Sequence, residues 1–149
     1  MKLESEIVQK KFKSEYHKAI VNIVFTYNWI MEKQIKQLKP YDISLQQYNI
    51  LRILRGQHPN PATVKLIKER MLDKMSDVSR LVEKLRVKGL AERNICQNDR
   101  RNVDVVITNK GLALLKELEP KEKEIEKFMS NLNDKEIERL NTYLDKLRG

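Results

Sequence analysis

The sequence is poorest in the residues that staple, break or anchor a chain. One cysteine, Cys96, occurs in 149 residues; it excludes an intrachain disulfide and suits a reducing compartment. Glycine and proline number four each, which predicts a helix-rich chain with few turns. No long hydrophobic run is present. The most apolar stretch, residues 19–31, is too short to span a bilayer and contains Asn22 and Asn28. The two histidines, His17 and His58, stand far apart with no cysteine or histidine beside them, so no zinc site is expected. A glycine-rich phosphate loop, a nucleophile motif and a carboxylate pair for acid–base work are all missing. No enzyme and no cofactor is expected. The start, Met1-Lys2-Leu3-Glu4-Ser5-Glu6, is polar and acidic, unlike a secretory signal. The expectation is a cytoplasmic protein.

What the chain has is charge and helical period. Charged residues make up 34% of it and the net charge is +9, which favours a polyanionic partner, nucleic acid ahead of a membrane surface. Charge alone selects neither, since many basic proteins bind neither. The length suits one domain with a real core, residues 1–149.

Over residues 4–39 the apolar positions Phe12, Tyr16, Ala19, Ile20, Ile23, Val24, Tyr27, Ile30, Met31, Ile35 and Leu38 repeat at three and four, and Pro40 supplies a stop. One straight helix of that length spans roughly 50 Å, against a radius of gyration of about 15 Å for a compact chain of this size. Such a helix must bend or pack on a second subunit. Ser44 and Gln47 form a capping box ahead of the stripe Leu45, Tyr48, Leu51 and Leu54, with Gly56 expected as a left-handed stop. Two shorter helices are predicted over 63–71 and 74–88, the second ended by Gly89. The period then shortens to that of strands over 91–96 and 103–107, joined by the polar loop 97–102. Thr108 caps a further helix, which Pro120 kinks or restarts. Asn133-Asp134-Lys135-Glu136 opens a last one, with Ile137, Leu140, Leu144 and Leu147 in its stripe.

Two short helices followed by a hairpin with a basic tip describe a winged helix-turn-helix. A helix fits the roughly 12 Å major groove, where base edges are distinguishable. A hairpin tip reaches the narrower minor groove, whose potential attracts arginine. In the second short helix Met75, Val78, Leu81, Val82 and Leu85 form the expected buried stripe. Lys74, Ser76, Asp77, Ser79, Arg80, Glu83 and Lys84 form the opposite face. The short hydroxyls permit close approach, and Arg80 suits a guanine or a phosphate. Asp77 and Glu83 repel phosphate but can accept from cytosine N4. A solvated amphipathic face accounts for this periodicity by itself. The hairpin tip tilts the reading toward DNA, because the adjacent Arg100 and Arg101 repel each other and serve no folding purpose, while Asp99 offsets them.

These residues carry a family resemblance. The run from Ser76 to Arg93 (SDVSRLVEKLRVKGLAER) resembles the recognition helix and first wing strand of the MarR (multiple-antibiotic-resistance regulator) family. Asp99-Arg100-Arg101 resembles its wing signature, and Ile107-Thr108-Asn109-Lys110-Gly111 the helix start after the wing. The resemblance implies a mainly α fold with a small β-hairpin wing. Residues 44–107 would form the winged helix-turn-helix module, and 4–39 with 108–149 the dimerisation helices. It further implies a homodimeric regulator, a repressor more often than an activator, on a pseudo-palindromic operator in double-stranded DNA. Lys74, Ser76, Asp77, Ser79, Arg80 and Lys84 would face the major groove. Arg101 would enter the minor groove, flanked by Arg100 and oriented by Asp99. One departure is Leu66-Ile67 where the family often has Leu-Ala, which puts the packing of the turn through Leu72-Asp73-Lys74 in question.

Family members commonly respond to small aromatic effectors in a cleft between the dimer helices and the DNA-binding module. Tyr16 and Tyr48 are the candidates to line it here, with His17, Tyr27 and Trp29 behind them. Cys96, in a wing strand, is expected to be a packed hydrophobe rather than an oxidant sensor. The alternative function is a helical interaction protein whose basic surface binds nucleic acid without sequence preference or docks an acidic protein.

Overall fold

The structure, a computed structural model, describes residues 1–95 and 103–149. A four-residue helix α1 (Leu3–Glu6) precedes the long α2 (Glu15–Leu38). A 3-10 turn over Lys39–Tyr41 leads to α3 (Leu45–Gln57). Strand β1 (Ala62–Thr63) is followed by α4 (Val64–Arg70) and α5 (Val78–Val87). Then come β2 (Ala91–Ile95), β3 (Val103–Ile107), α6 (Asn109–Lys127) and α7 (Asp134–Arg148). Among the described residues the sheet is antiparallel in the order β1-β3-β2.

The expected single helix over 4–39 is broken. Ser14, in extended conformation, accepts the His17 N–H at 3.1 Å and starts α2. The residues before it fold back: Glu4 pairs with Lys18 at 2.5 Å, and Phe12 lies edge-on to His17 at 5.9 Å. A capping serine inside an apolar period thus ends the run that spacing alone would continue.

Most other boundaries follow the capping chemistry. Ser44 and Gln47 make both bonds of a capping box, as do Asn133 and Glu136. Thr63 and Thr108 accept the Leu66 and Gly111 N–H groups. Gly56, however, lies inside α3, which runs to Gln57 and closes with the His58 N–H on the Leu54 carbonyl at 3.0 Å. A glycine ends a helix only where the backbone turns left-handed, and here the stop comes from Pro59, one residue past the last helical bond. Pro120 stands within α6, which continues through it.

The core gathers where α3, α4, α5, α6 and β3 meet. Ile50, Leu51, Ile67, Leu85, Val105 and Leu115 are wholly buried there. Among the expected stripe residues of α3, Leu51 and Leu54 are buried, while Leu45 and Tyr48 pack against the edge of the core. Strand β1, two residues long, escapes any period-two reading; it pairs Ala62 with Val105 and so ties the start of α4 to the sheet.

The terminal helices are different. In α2 only Leu38 is buried, and Tyr16, Ile20, Ile23, Val24 and Tyr27 line up at helical spacing in solvent. In α7 no residue is buried, and Tyr143 and Leu147 are two-thirds exposed. The chain exposes 11567 Å², whereas a compact monomer of its mass exposes about 7,900 Å².

Candidate nucleic-acid interface

Three local devices set the outer face of α5. At its start Asp77, the N-cap, accepts the Arg80 N–H at 3.1 Å. Along its length Val78, Val82 and Leu85 are buried and Leu81 is half-buried. That leaves Ser79, Arg80 and Lys84 on the exposed side. At its end Gly89, at φ +70°, lets its own N–H reach the Arg86 carbonyl at 2.9 Å and the Leu90 N–H reach Leu85 at 2.9 Å. This is a Schellman stop, open to glycine because no Cβ opposes the left-handed backbone.

The recognition helix is shorter than its periodicity predicts. It begins at Val78, not at residue 74, so Lys74, Met75 and Ser76 belong to the turn between α4 and α5. Asp73 causes this. Its carboxylate accepts the Met75 N–H at 3.0 Å, and its carbonyl accepts the Ser76 N–H at 3.2 Å. The bond from Met75 holds the Asp73 carboxyl below its usual range. Lys74 sends its ammonium back to the Glu69 carbonyl at 2.6 Å, near the negative end of α4. Met75, expected in the buried stripe, is 92% exposed. Ser76 is half-buried with its hydroxyl shielded from solvent.

The acids on this surface are already engaged. Asp77 caps the helix, and Glu83 holds Arg86 through two hydrogen bonds at 2.9 and 2.8 Å. That pairing lowers the Glu83 carboxyl from its ordinary value and raises the Arg86 guanidinium. A chelated Glu83 presents little net charge to a phosphate, so the repulsion expected from the sequence is muted. The distinction between spent acids and exposed Ser79, Arg80 and Lys84 needs geometry. The sequence signals for it are the aspartates Asp73 and Asp77, one helical turn apart, and the i,i+3 spacing of Glu83 and Arg86.

Strands β2 and β3 run antiparallel from Ala91 opposite Ile107 to Ile95 opposite Val103. The predicted wing-tip residues Asp99, Arg100 and Arg101, and Cys96 beside them, lie outside the described residues. The base of the hairpin is held on α6. Thr108 donates its hydroxyl to the Gly89 carbonyl at 2.7 Å, and its N–H reaches Leu90 at 3.2 Å. Gly111 is required by close approach: a Cβ there would overlap Leu90 O and stand 2.7 Å from Ile107 Cγ1.

The module is also tied to the helices around it. Lys88, at the exit of α5, pairs with the Asp42 carboxylate at 3.1 Å and donates to its carbonyl. Tyr48 on α3 donates to Glu122 on α6, and Arg55 meets Glu119 at 3.5 Å. Burial, and then the Glu122 bond, push the Tyr48 phenol upward, so it stays protonated. Tyr48 lines a cavity of about 180 Å³ with Leu38, Arg52, Leu118 and Ile125. Tyr16, the other predicted cleft residue, is 86% exposed on α2 and does not line that cavity. Among the described residues no three His, Cys, Asp or Glu side chains gather to hold a metal, and no helix is long and apolar enough to cross a membrane.

Known proteins share this arrangement. Residues 41–102 match the model of the MarR family. The HTH-type transcriptional regulator MhqR of Bacillus subtilis is 25% identical over 122 residues, covering 81% of this chain and 83% of its own. The Staphylococcus aureus MepR–DNA complex superposes with a TM-score of 0.76 at 22% identity, over 92% of this chain and 97% of that one. A MarR transcription factor from Planctomyces limnophilus is 30% identical over 91% of this chain and 98% of its own, with a TM-score of 0.70. A helix-turn-helix with two strands behind it, in a chain that covers a 30% identical relative almost end to end, places this protein in the MarR family, as a DNA-binding transcriptional regulator.

Proposed function

We propose that a homodimer of this chain binds a pseudo-palindromic operator and represses transcription from it. The observation that carries this reading is the outer face of α5, where Ser79, Arg80 and Lys84 are exposed while the neighbouring acids are engaged. Two hydroxyl- and guanidinium-bearing positions in the first turn suit base edges and phosphates together. Lys74 contributes from the turn, Ser76 by holding the turn through its N–H on the Asp73 carbonyl, and Asp77 by capping the helix. Arg101 supplies the minor-groove contact, flanked by Arg100 and oriented by Asp99.

The dimer rests on α2 and α7. Their apolar faces are only partly covered within the chain, and the surface exceeds that of a compact monomer by roughly 3,600 Å². A stable homodimer takes about 1,000 to 2,500 Å² from each partner, so an interface of that size lies within the excess. In this reading residues 44–107 read DNA, and 4–39 with 108–149 join the subunits, residues 4–13 lying ahead of α2 rather than extending it. The MepR structure named above is a complex with DNA, and its likeness supports the same partner here. The cytoplasm is the compartment that fits a DNA-binding protein with one cysteine. A small aromatic effector fits the cavity beside Tyr48, whose Glu122 bond joins the module to α6.

The test is a mobility shift with the DNA upstream of the protein's own gene. Specific binding predicts retention at concentrations where a scrambled duplex stays free. Equal affinity for both favours the alternative, binding by net charge alone, whose log–log salt slope grows by about 0.9 per phosphate neutralised. Arg101→Ala is expected to weaken operator binding by about 1–3 kcal/mol.

A further inference from the structure

The turn between α4 and α5 is built inside out. Of the four residues Leu72-Asp73-Lys74-Met75, the two charged ones bond within the chain: Asp73 to the Met75 N–H at 3.0 Å, Lys74 to the Glu69 carbonyl at 2.6 Å. The two large apolar ones stand in solvent, Leu72 at 87% and Met75 at 92% exposure. Single exposed apolar side chains are ordinary. This pair is held in place. Asn49 on α3 accepts the Leu72 N–H at 2.9 Å, and the Asp73 carbonyl accepts the Ser76 N–H at 3.2 Å. The turn therefore keeps its shape without burying either side chain.

The pair leads directly into the first turn of α5, where Ser79 and Arg80 are exposed. Residues at that end of a recognition helix approach base edges. In the major groove nearly every feature of a base edge is a hydrogen-bond donor or acceptor, and the apolar exception is the C5-methyl group of thymine. Leucine has no polar atom to offer there. Methionine offers a flexible, polarisable thioether that adapts to an apolar surface.

We propose that Leu72 and Met75 form an apolar knuckle that reads thymine methyl groups in the operator, next to the polar contacts of α5. This rests on the operator-binding reading and adds to it a preference for A·T pairs at defined positions of each half-site. The flanking residues Ser79, Arg80 and Lys84 do not explain such a preference, because none of them is apolar.

The experiment uses the full-length protein and a duplex enriched by it from a random-sequence library. Each thymine of that duplex is replaced in turn by deoxyuridine, which removes the methyl group and leaves base pairing intact. At one or two thymines in each half-site the replacement is expected to weaken binding by about fourfold, the worth of one buried methyl. Met75→Ala and Leu72→Ala are expected to lower affinity for the thymine duplex and to erase that thymine–uracil difference. Both positions are exposed, so folding, followed by circular dichroism, should be unchanged.

If every uracil duplex binds like its thymine parent, the knuckle does not read methyl groups and the proposal is overturned while operator binding stands. A discrimination that persists in the Leu72→Ala/Met75→Ala double variant overturns it as well. Loss of self-association in that variant, seen by sedimentation, would assign the knuckle to a second copy of the chain and also end the proposal. Failure to enrich any sequence refutes the operator-binding reading itself, a distinguishable result.

Discussion

Helices α3 and α7 begin with the same device, a capping box at Ser44–Gln47 and at Asn133–Glu136, and have entirely different surroundings. Five residues of α3 are buried, Ile50 and Leu51 completely, whereas α7 buries none. The local code for starting a helix is equally strong in both; the difference lies in where the apolar stripe finds cover. The winged module meets its needs within one chain. Helix α2 presents its stripe to water, and in α7 Ile137, Leu140 and Leu144 are only half-buried while Leu147 is exposed, the pattern expected where a second subunit completes the cover.

Four changes sharpen that contrast. Leu85→Ala, in the wholly buried face of α5, should cost about 2–5 kcal/mol of stability, read as a lowered midpoint of denaturant unfolding. Ile20→Glu with Val24→Glu, on the exposed stripe of α2, should leave the module folded but separate the subunits. Sedimentation should then report the 17.7 kDa of a single chain, and operator affinity should fall on the order of 100-fold as the two half-sites are bound independently. If the double glutamate variant stays dimeric, the interface lies elsewhere.

Gly111→Ala should destabilise by about 1–3 kcal/mol through overpacking, because Leu90 and Ile107 already fill the space where its methyl would go. Thermal unfolding measures it, and an unchanged midpoint would mean that α6 can lift from the hairpin base freely. The smallest effect concerns Glu83. Its folded-state carboxyl is depressed by Arg86, so the pair stabilises above the ordinary glutamate value and the contribution fades as pH falls through the depressed one. Acid unfolding curves of wild type and Glu83→Gln should therefore converge once the pH has fallen below that depressed value and differ slightly above the ordinary glutamate range. The reverse order would refute the pairing.

Much of the fold is legible in the sequence because caps are local chemistry. Ser44, Thr63, Thr108, Asn133 and Gly89 each mark a boundary with a hydrogen bond or a left-handed turn that neighbouring residues complete. The errors share a cause too. Met75 continues the three-four period of Val78 and Val82, so periodicity absorbs it into the helix. Asp73 takes the Met75 N–H into the turn and Asp77 caps at the Arg80 N–H, which moves the start to Val78. The apolar period over residues 4–39 runs straight through Ser14, whose cap breaks it, and a period marks an apolar face without saying whether its cover comes from the same chain. Strand β1 is too short for any period to show. On the outer face of α5 the sequence does not show which side chains are engaged: Glu83 and Lys74 look free in sequence and are bonded in the fold.

In the proposed dimer two winged modules, joined through α2 and α7, act on one stretch of DNA. Hydroxyl-radical footprinting of the enriched duplex tests it most directly. Two equivalent protected tracts are expected on one face of the helix, their centres about one turn apart, roughly 10 bp or slightly more. A single protected tract at saturation, or uniform protection along the duplex, would contradict it.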